Sequence, residues 1–185
     1  MRKIQNPVLA VIDMQNGFLN QYSNHITEKI RALIRECSGR SIPVVFTRFF
    51  NFSGSPYETL MGWGWGHGKA ETDIVDELAP FVETSIDKNF YSSLTSQFLE
   101  MINKNEWKTI LLCGIATESC VLKTAVDVFE KGLHPIVISD CCASDRGVEF
   151  HQAGLKILPR LIGKEQIMTS QYLLDSLRVM PKGSL

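Results

Sequence analysis

A cysteine at the start of a helix is placed for nucleophilic chemistry, and the segment LLCGIATESC, Leu111 to Cys120, supplies one. It runs from an apolar stretch through Gly114 into a helical pattern whose first turn holds Cys120, with Thr117 in position to cap it. A thiolate there is favoured by the helix macrodipole and by unpaired backbone N–H groups, which lower its pKa and can also serve an oxyanion. The competing reading of any cysteine is a small buried core residue. That reading suits Cys113 inside a strand and Cys37 on an apolar helical face, and it is weaker for Cys141 and Cys142, just past a strand end in a possible site-facing loop. A nucleophile also needs a base. None of His25, His67, His134 and His151 is placed convincingly, but Asp13 closes the apolar run Val8 to Ile12. A charge ending a buried strand is costly unless it is paired or functional; the plain alternative is a helix or loop cap.

These groups must be held by a scaffold. The runs Val8 to Ile12, Val44 to Phe49, Thr109 to Cys113 and Pro135 to Ser139 are short, β-branched and continuous, as in strands covered on both faces. Between them, Ile26, Ile30, Leu33, Ile34 and Cys37 share one helical face, as do Leu94, Phe98, Leu99 and Ile102, and then Val121, Leu122, Ala125, Val128 and Phe129. A helix from about Val148 is expected to end or kink near Pro159, with an edge strand at Gln166 to Met168 and a last helix from Gln171 to Leu177. Strands alternating with helices imply right-handed crossovers and a doubly wound α/β sheet, whose ligands sit beyond the carboxyl ends of the strands. Asp13 and Gly114 follow strands, and the glycine-rich GWGWGHG, Gly62 to Gly68, lies in the long connection after Phe49.

The chain has 185 residues, of which 44% are apolar and 21% charged, with 19 Lys+Arg against 20 Asp+Glu. This composition describes an ordinary globular domain, read as a single one over residues 1–185, and it excludes disordered, collagenous and transmembrane classes. A net charge of −1 without a basic cluster argues against nucleic acid as a partner. The start MRKIQNPVLAVID imitates a signal peptide, but its apolar run is short and ends at Asp13, so it reads as a strand. Five cysteines, two of them adjacent, suggest neither a disulfide framework nor a zinc site, and a reducing, cytoplasmic compartment is expected.

Asp13 in VIDMQNGF, Lys88 in DKNFYSSL and Cys120 in CGIATESCVLKTAVDVFEKG, followed by ISDCCAS, closely resemble the isochorismatase-like cysteine hydrolases, which include nicotinamidases and carbamoyl amidohydrolases. The likeness covers about Pro7 to Thr169, and it rests on three motifs in order. It implies a three-layer, Rossmann-like fold with a mostly parallel six-stranded sheet and helices on both faces. It also implies that Asp13 takes the thiol proton, Lys88 holds carboxylate and thiolate in place, and Cys120 attacks a carbonyl. Read alone, Lys88 passes for a surface lysine. The resemblance further implies a cis peptide at Ile115–Ala116, aiming the N–H groups of Ala116 and Cys120 at an oxyanion.

Two departures narrow the activity. Nicotinamidases of this superfamily hold a metal through an Asp-x-His motif after the second strand and a later histidine, whereas this chain has TRFFNFSG there and only His67 downstream. No metal and no cofactor are therefore expected. True isochorismatases lack the nucleophilic cysteine, so Cys120 points to C–N cleavage of a small amide or carbamoyl compound. The alternative is a binding or redox-responsive protein that keeps the fold without physiological turnover. A small-molecule substrate is the expected partner, with no membrane, and family habit suggests a homo-oligomer, a dimer or larger.

Aromatic residues crowd the second connection. Phe49, Trp63, Trp65 and, after Lys88, Tyr91 are candidates to wall a planar acyl pocket, although such residues equally form a loop's own core or a subunit interface. Tyr57 and Glu58 are weaker candidates. GWGWGHG lacks the ending of a phosphate loop and is read as a lid or mobile loop.

Overall fold

The computed structural model describes residues 3–178; the domain expected over 1–185 and Arg2 of the leader-like start reach outside them. Six parallel strands form one sheet in the order β3-β2-β1-β4-β5-β6: β1 (Pro7–Ile12), β2 (Val44–Phe49), β3 (Ser85–Lys88), β4 (Thr109–Ile115), β5 (His134–Ala143) and β6 (Ile167–Met168). The sheet is doubly wound, as the hydrophobic pattern implied. Every residue of β1 and β4 is buried, and successive side chains enter opposite cores. Leu9 and Val11 pack with α1 (Thr27–Ser38) and α7 (Ser170–Arg178). Val8, Ala10 and Ile12 pack with α4 (Ser96–Lys104), α5 (Leu122–Glu130) and α6 (Val148–Ile162). Each Val, Leu or Ile side chain so buried contributes about 1.5–3 kcal/mol, so both faces of the central strands are firmly held.

The chain moves outward from β1 to β3, then crosses back to lay β4 on the other side of β1. That reversal opens a crevice beyond the carboxyl ends of β1 and β4, where such sheets bind ligands. Gly114 lies inside β4, not after it, at a register shift between Leu112 and Gly114 and with φ of 117°. A Cβ there would stand 2.0 Å from the Ile12 carbonyl oxygen, so only glycine lets the strands close at this point.

Other boundaries also shift. Pro159 falls inside α6, whose last turn continues to Ile162 and stops at Gly163, where φ is 90°. Cys141 and Cys142 belong to β5, which is longer than its apolar run suggested, so they are strand residues and do not lie in a loop. Two single-turn helices, α2 (Pro56–Thr59) and α3 (Lys69–Thr72), interrupt the long connection after β2. Among the described residues, no helix is long and apolar enough to cross a membrane.

Candidate active site

Three strand ends deliver three reactive groups to the crevice. Asp13 directly follows β1 in a left-handed conformation, φ 50°, that a short polar side chain tolerates. Lys88 is the last residue of β3, and Cys120 lies on a π-helical turn, Thr117–Val121, between β4 and α5. The Lys88 Nζ stands 2.6 Å from Asp13 Oδ2 and 3.5 Å from Cys120 Sγ. It also donates to the carbonyls of Phe90 at 2.9 Å and Tyr91 at 3.2 Å, which fixes the ammonium between the other two groups. All three residues are buried, with exposures of 1% for Asp13, 2% for Lys88 and 8% for Cys120.

The electrostatics differ from the lowered thiol pKa expected of a helix start. Burial pushes the Cys120 thiol up to about 12; Lys88 works against this, and Asp13, which also hydrogen-bonds the thiol, reinforces it. Burial pulls the Lys88 pKa down, but the Asp13 carboxylate and the Cys120 sulfur outweigh it and raise it above its ordinary value. The resting site is thus an ion pair beside a neutral thiol. The thiol does not stand ionised in advance, and Asp13 is the carboxylate within reach of its proton.

The turn carrying Cys120 is braced from α6. The Ile115–Ala116 peptide is cis, and the Ala116 carbonyl accepts from Ser119 and Val121, both at 3.1 Å. Ala116 precedes the turn without any side-chain cap; Thr117, expected in that role, instead shares a 2.7 Å hydrogen bond with His151 Nδ1 on α6. Glu118 accepts from Ser144 at 2.7 Å. A Cβ on Gly154 of α6 would meet the Glu118 backbone nitrogen at 2.9 Å, so helix and turn lie in direct contact.

A recess of about 140 Å³ includes Cys120 in its lining and has walls of Phe18, Phe49, Tyr57, Trp63 and Tyr91. Asp145 and Arg146, from the loop after β5, also border it. The rings pack edge-on, Phe49 against Tyr57 at 5.1 Å and Tyr57 against Tyr91 at 5.3 Å, while Phe18 stacks on Trp63 at 6.1 Å. Burial pushes Tyr57 up to about 12 and raises Tyr91 as well, leaving both as neutral hydroxyls at ordinary pH. Of the four aromatic candidates, Phe49, Trp63 and Tyr91 lie here. Trp65 does not: it is 59% exposed and borders a smaller neighbouring pocket with Gln15 and Glu71.

Loop anchoring explains why the two tryptophans part. Asn51 donates from Nδ2 to the Trp63 carbonyl at 3.2 Å and from its backbone to Gly66 at 2.9 Å, and Glu71 accepts from the Gly66 N–H at 2.6 Å. The glycine-rich stretch is therefore stapled with Trp63 inward and Trp65 outward. Buried Gln15 completes the frame: Phe49 N–H donates to its Oε1 at 2.7 Å, and its Nε2 donates to the carbonyls of Phe49 and Thr72. Gln15 and Asn51 read from sequence as ordinary loop amides. Phe18 was visible only as the last letter of VIDMQNGF.

The isochorismatase domain model matches residues 7–169. The chain belongs to the isochorismatase family. Membership places it among hydrolases. Nicotinamidase 3 of Arabidopsis thaliana is 30% identical over 155 residues, covering 80% of this chain and 77% of that protein. Isochorismatase family protein 1B of Dictyostelium discoideum is 26% identical over 146 residues, 76% of this chain, and the chain spans just under two thirds, 65%, of that relative's length. Among solved structures, N-carbamoylsarcosine amidase from Thermoplasma acidophilum superposes with a TM-score of 0.77 at 22% identity, covering 89% of this chain and 96% of that one, a likeness of fold.

Among the described residues, the side chains after β2 offer a poor set of metal ligands. In the segment after β2 that would carry metal ligands, the side chains of Phe49, Phe50 and Phe52 have no donor atom. The Asn51 side-chain oxygen already accepts from Phe52 N–H at 3.0 Å and Ser55 Oγ at 2.6 Å. His67 pairs with Glu58 at 2.7 Å, and among the described residues no three His, Cys, Asp or Glu side chains cluster as a metal site needs.

Proposed function

We propose that this isochorismatase-family chain is a metal-independent cysteine hydrolase that cleaves the C–N bond of a small amide or carbamoyl compound through a thioester. The observation that carries this reading is Lys88 Nζ bridging Asp13 Oδ2 at 2.6 Å and Cys120 Sγ at 3.5 Å, beside an aromatic recess that reaches the sulfur. Two of the proteins it resembles, a nicotinamidase and N-carbamoylsarcosine amidase, are named for amide and carbamoyl substrates.

In this mechanism the substrate enters with its carbonyl carbon against Cys120 Sγ. Asp13 takes the thiol proton as sulfur attacks, and the ammonium of Lys88 offsets the negative charge shared by sulfur and carboxylate. The N–H groups of Ala116 and Cys120 receive the charge that builds on the carbonyl oxygen, a contribution of about 10²–10³ in rate for a single donor. Protonated Asp13 then gives its proton to the departing nitrogen, the C–N bond breaks, and an amine or ammonia leaves a thioester on Cys120. Water, deprotonated by Asp13, hydrolyses the thioester to release the acid and restore the thiol. The rings exclude bulk water, which strengthens each charge interaction, and favour a flat or apolar acyl group.

Mass spectrometry of the protein after exposure to a panel of small amides and carbamoyl compounds tests this. An acyl or carbamoyl adduct on Cys120 is expected, absent in Cys120→Ala. Reversible oxidation of Cys120 by peroxide with no adduct and no ammonia or amine release would instead select the non-catalytic, redox-responsive alternative.

A further inference from the structure

A buried chain of hydroxyl groups runs behind the reactive groups. Thr47, Ser93 and Thr124 are fully enclosed. Thr47 Oγ1 lies 2.9 Å from Asp13 Oδ1 and 3.1 Å from Ser93 Oγ; Ser93 N–H donates to Thr124 Oγ1 at 2.9 Å, and Thr124 donates to the Cys120 carbonyl at 2.6 Å. Thr47 also accepts the Asp13 backbone N–H on its own carbonyl at 3.1 Å. It therefore grips Asp13 by main chain and side chain together.

Counting protons gives the chain a direction. An ionised carboxylate only accepts, so the single hydroxyl proton of Thr47 goes to Asp13 Oδ1. The Thr47 oxygen can then only accept from Ser93, whose proton points toward Thr47. Two aligned hydroxyls thus face the carboxylate, and each polarises the next.

We propose that Thr47, with Ser93 behind it, is a positioning residue for Asp13: the directed hydroxyl chain occupies Oδ1 and reserves Oδ2 for Lys88 and the thiol proton. When Asp13 accepts that proton, its bond from Thr47 changes from charge-assisted to ordinary and weakens. The proton is therefore held loosely and passed on to the leaving nitrogen. Thr124, bound through the Ser93 N–H, fixes the backbone of Cys120 relative to the same chain. This inference rests on Asp13 serving as the base for Cys120, and not on which bond the enzyme cuts.

Thr47→Val keeps the shape and removes the proton donor. The measurement is alkylation of Cys120 by iodoacetamide as a function of pH, read on the Cys120 peptide by mass spectrometry, and it needs no substrate. The acid limb belongs to the Asp13–Cys120 pair. Lys88 from β3, Cys120 from its turn and Tyr57 from α2 each interact electrostatically with Asp13, and all remain in the variant. The acid limb is expected to move up by about one pH unit in Thr47→Val and to return in Thr47→Ser. Ser93→Ala, which removes only the outer donor, moves it the same way by less, and decides the matter if Thr47→Val does not fold. A limb that stays at its wild-type position in the donor-deleted variant, or one that Thr47→Ser does not restore, overturns the proposal. A negative amide panel with the shift intact would defeat the proposed function and leave this inference standing.

Discussion

The carboxyl ends of β1 to β4 and the connection Asn51–Thr72 meet at one recess and are built on opposite terms. Asp13, Lys88, Thr47 and Cys120 are enclosed and joined by hydrogen bonds or ion pairs between strands. The connection exposes Leu60, Met61 and Trp65 and is held through backbone carbonyls and N–H groups by Asn51, Gln15 and Glu71. On the proposed mechanism, reaction chemistry falls to the enclosed, cross-linked part and selectivity to the exposed connection. Such a division would let the substrate be altered without touching Asp13, Lys88 and Cys120.

Substitutions can break or sharpen that contrast. Cys120→Ala should remove turnover by about 10⁴-fold or more while leaving circular dichroism unchanged; turnover surviving in this variant would separate the enclosed region from the chemistry altogether. Asp13→Asn keeps the shape and loses the base, for an expected loss of about 10³–10⁴ in kcat. Lys88→Met should slow alkylation of Cys120 near neutral pH, because the one group that lowers the thiol's pKa is gone. On the other side, Trp63→Ala should raise KM by about tenfold with kcat less affected, whereas Trp65→Ala should change either by less than about twofold. Equal effects from the two tryptophans would mean that the connection is not stapled as described.

The smallest expected effect concerns stability. Burial holds Cys37, Cys120 and Cys141 up at about 12, against an ordinary value of 9.0. A raised folded-state value means that the unfolded chain loses these protons first, so their stabilising contribution is complete below about 9 and is lost as pH climbs toward 12. Thermal unfolding under reductant should show Tm falling across that window. A flat Tm would show that the thiols are not sealed.

Much of this was legible in the chain itself. Continuous apolar runs specified the central strands because both faces of β1 and β4 are covered, and the glycine in LLCGIATESC marked a contact that no side chain survives. β3 was nearly silent, since SIDK contributes a single core residue, Ile86, and Lys88 read alone as a surface cation. Thr47, Ser93, Gln15 and Asn51 were invisible for a different reason: their importance lies in which distant atom each one meets, which their residue types do not encode. The thiol's electrostatic state was misjudged because helix placement favours ionisation while depth opposes it, and here depth prevails.

Lys88 reaches the crevice from the outermost strand on its side, which is hydrogen-bonded to β2 alone. Its register is clasped by Arg48 and Asp87, paired through two contacts of 2.8 and 3.0 Å near solvent. A margin held by one neighbour detaches at a smaller free-energy cost than the centre of a sheet. On the proposed mechanism, loss of that pairing would draw the Lys88 ammonium away from Asp13 and Cys120. A solute that loosens the Arg48–Asp87 clasp should therefore lower turnover at concentrations that leave the central strands folded.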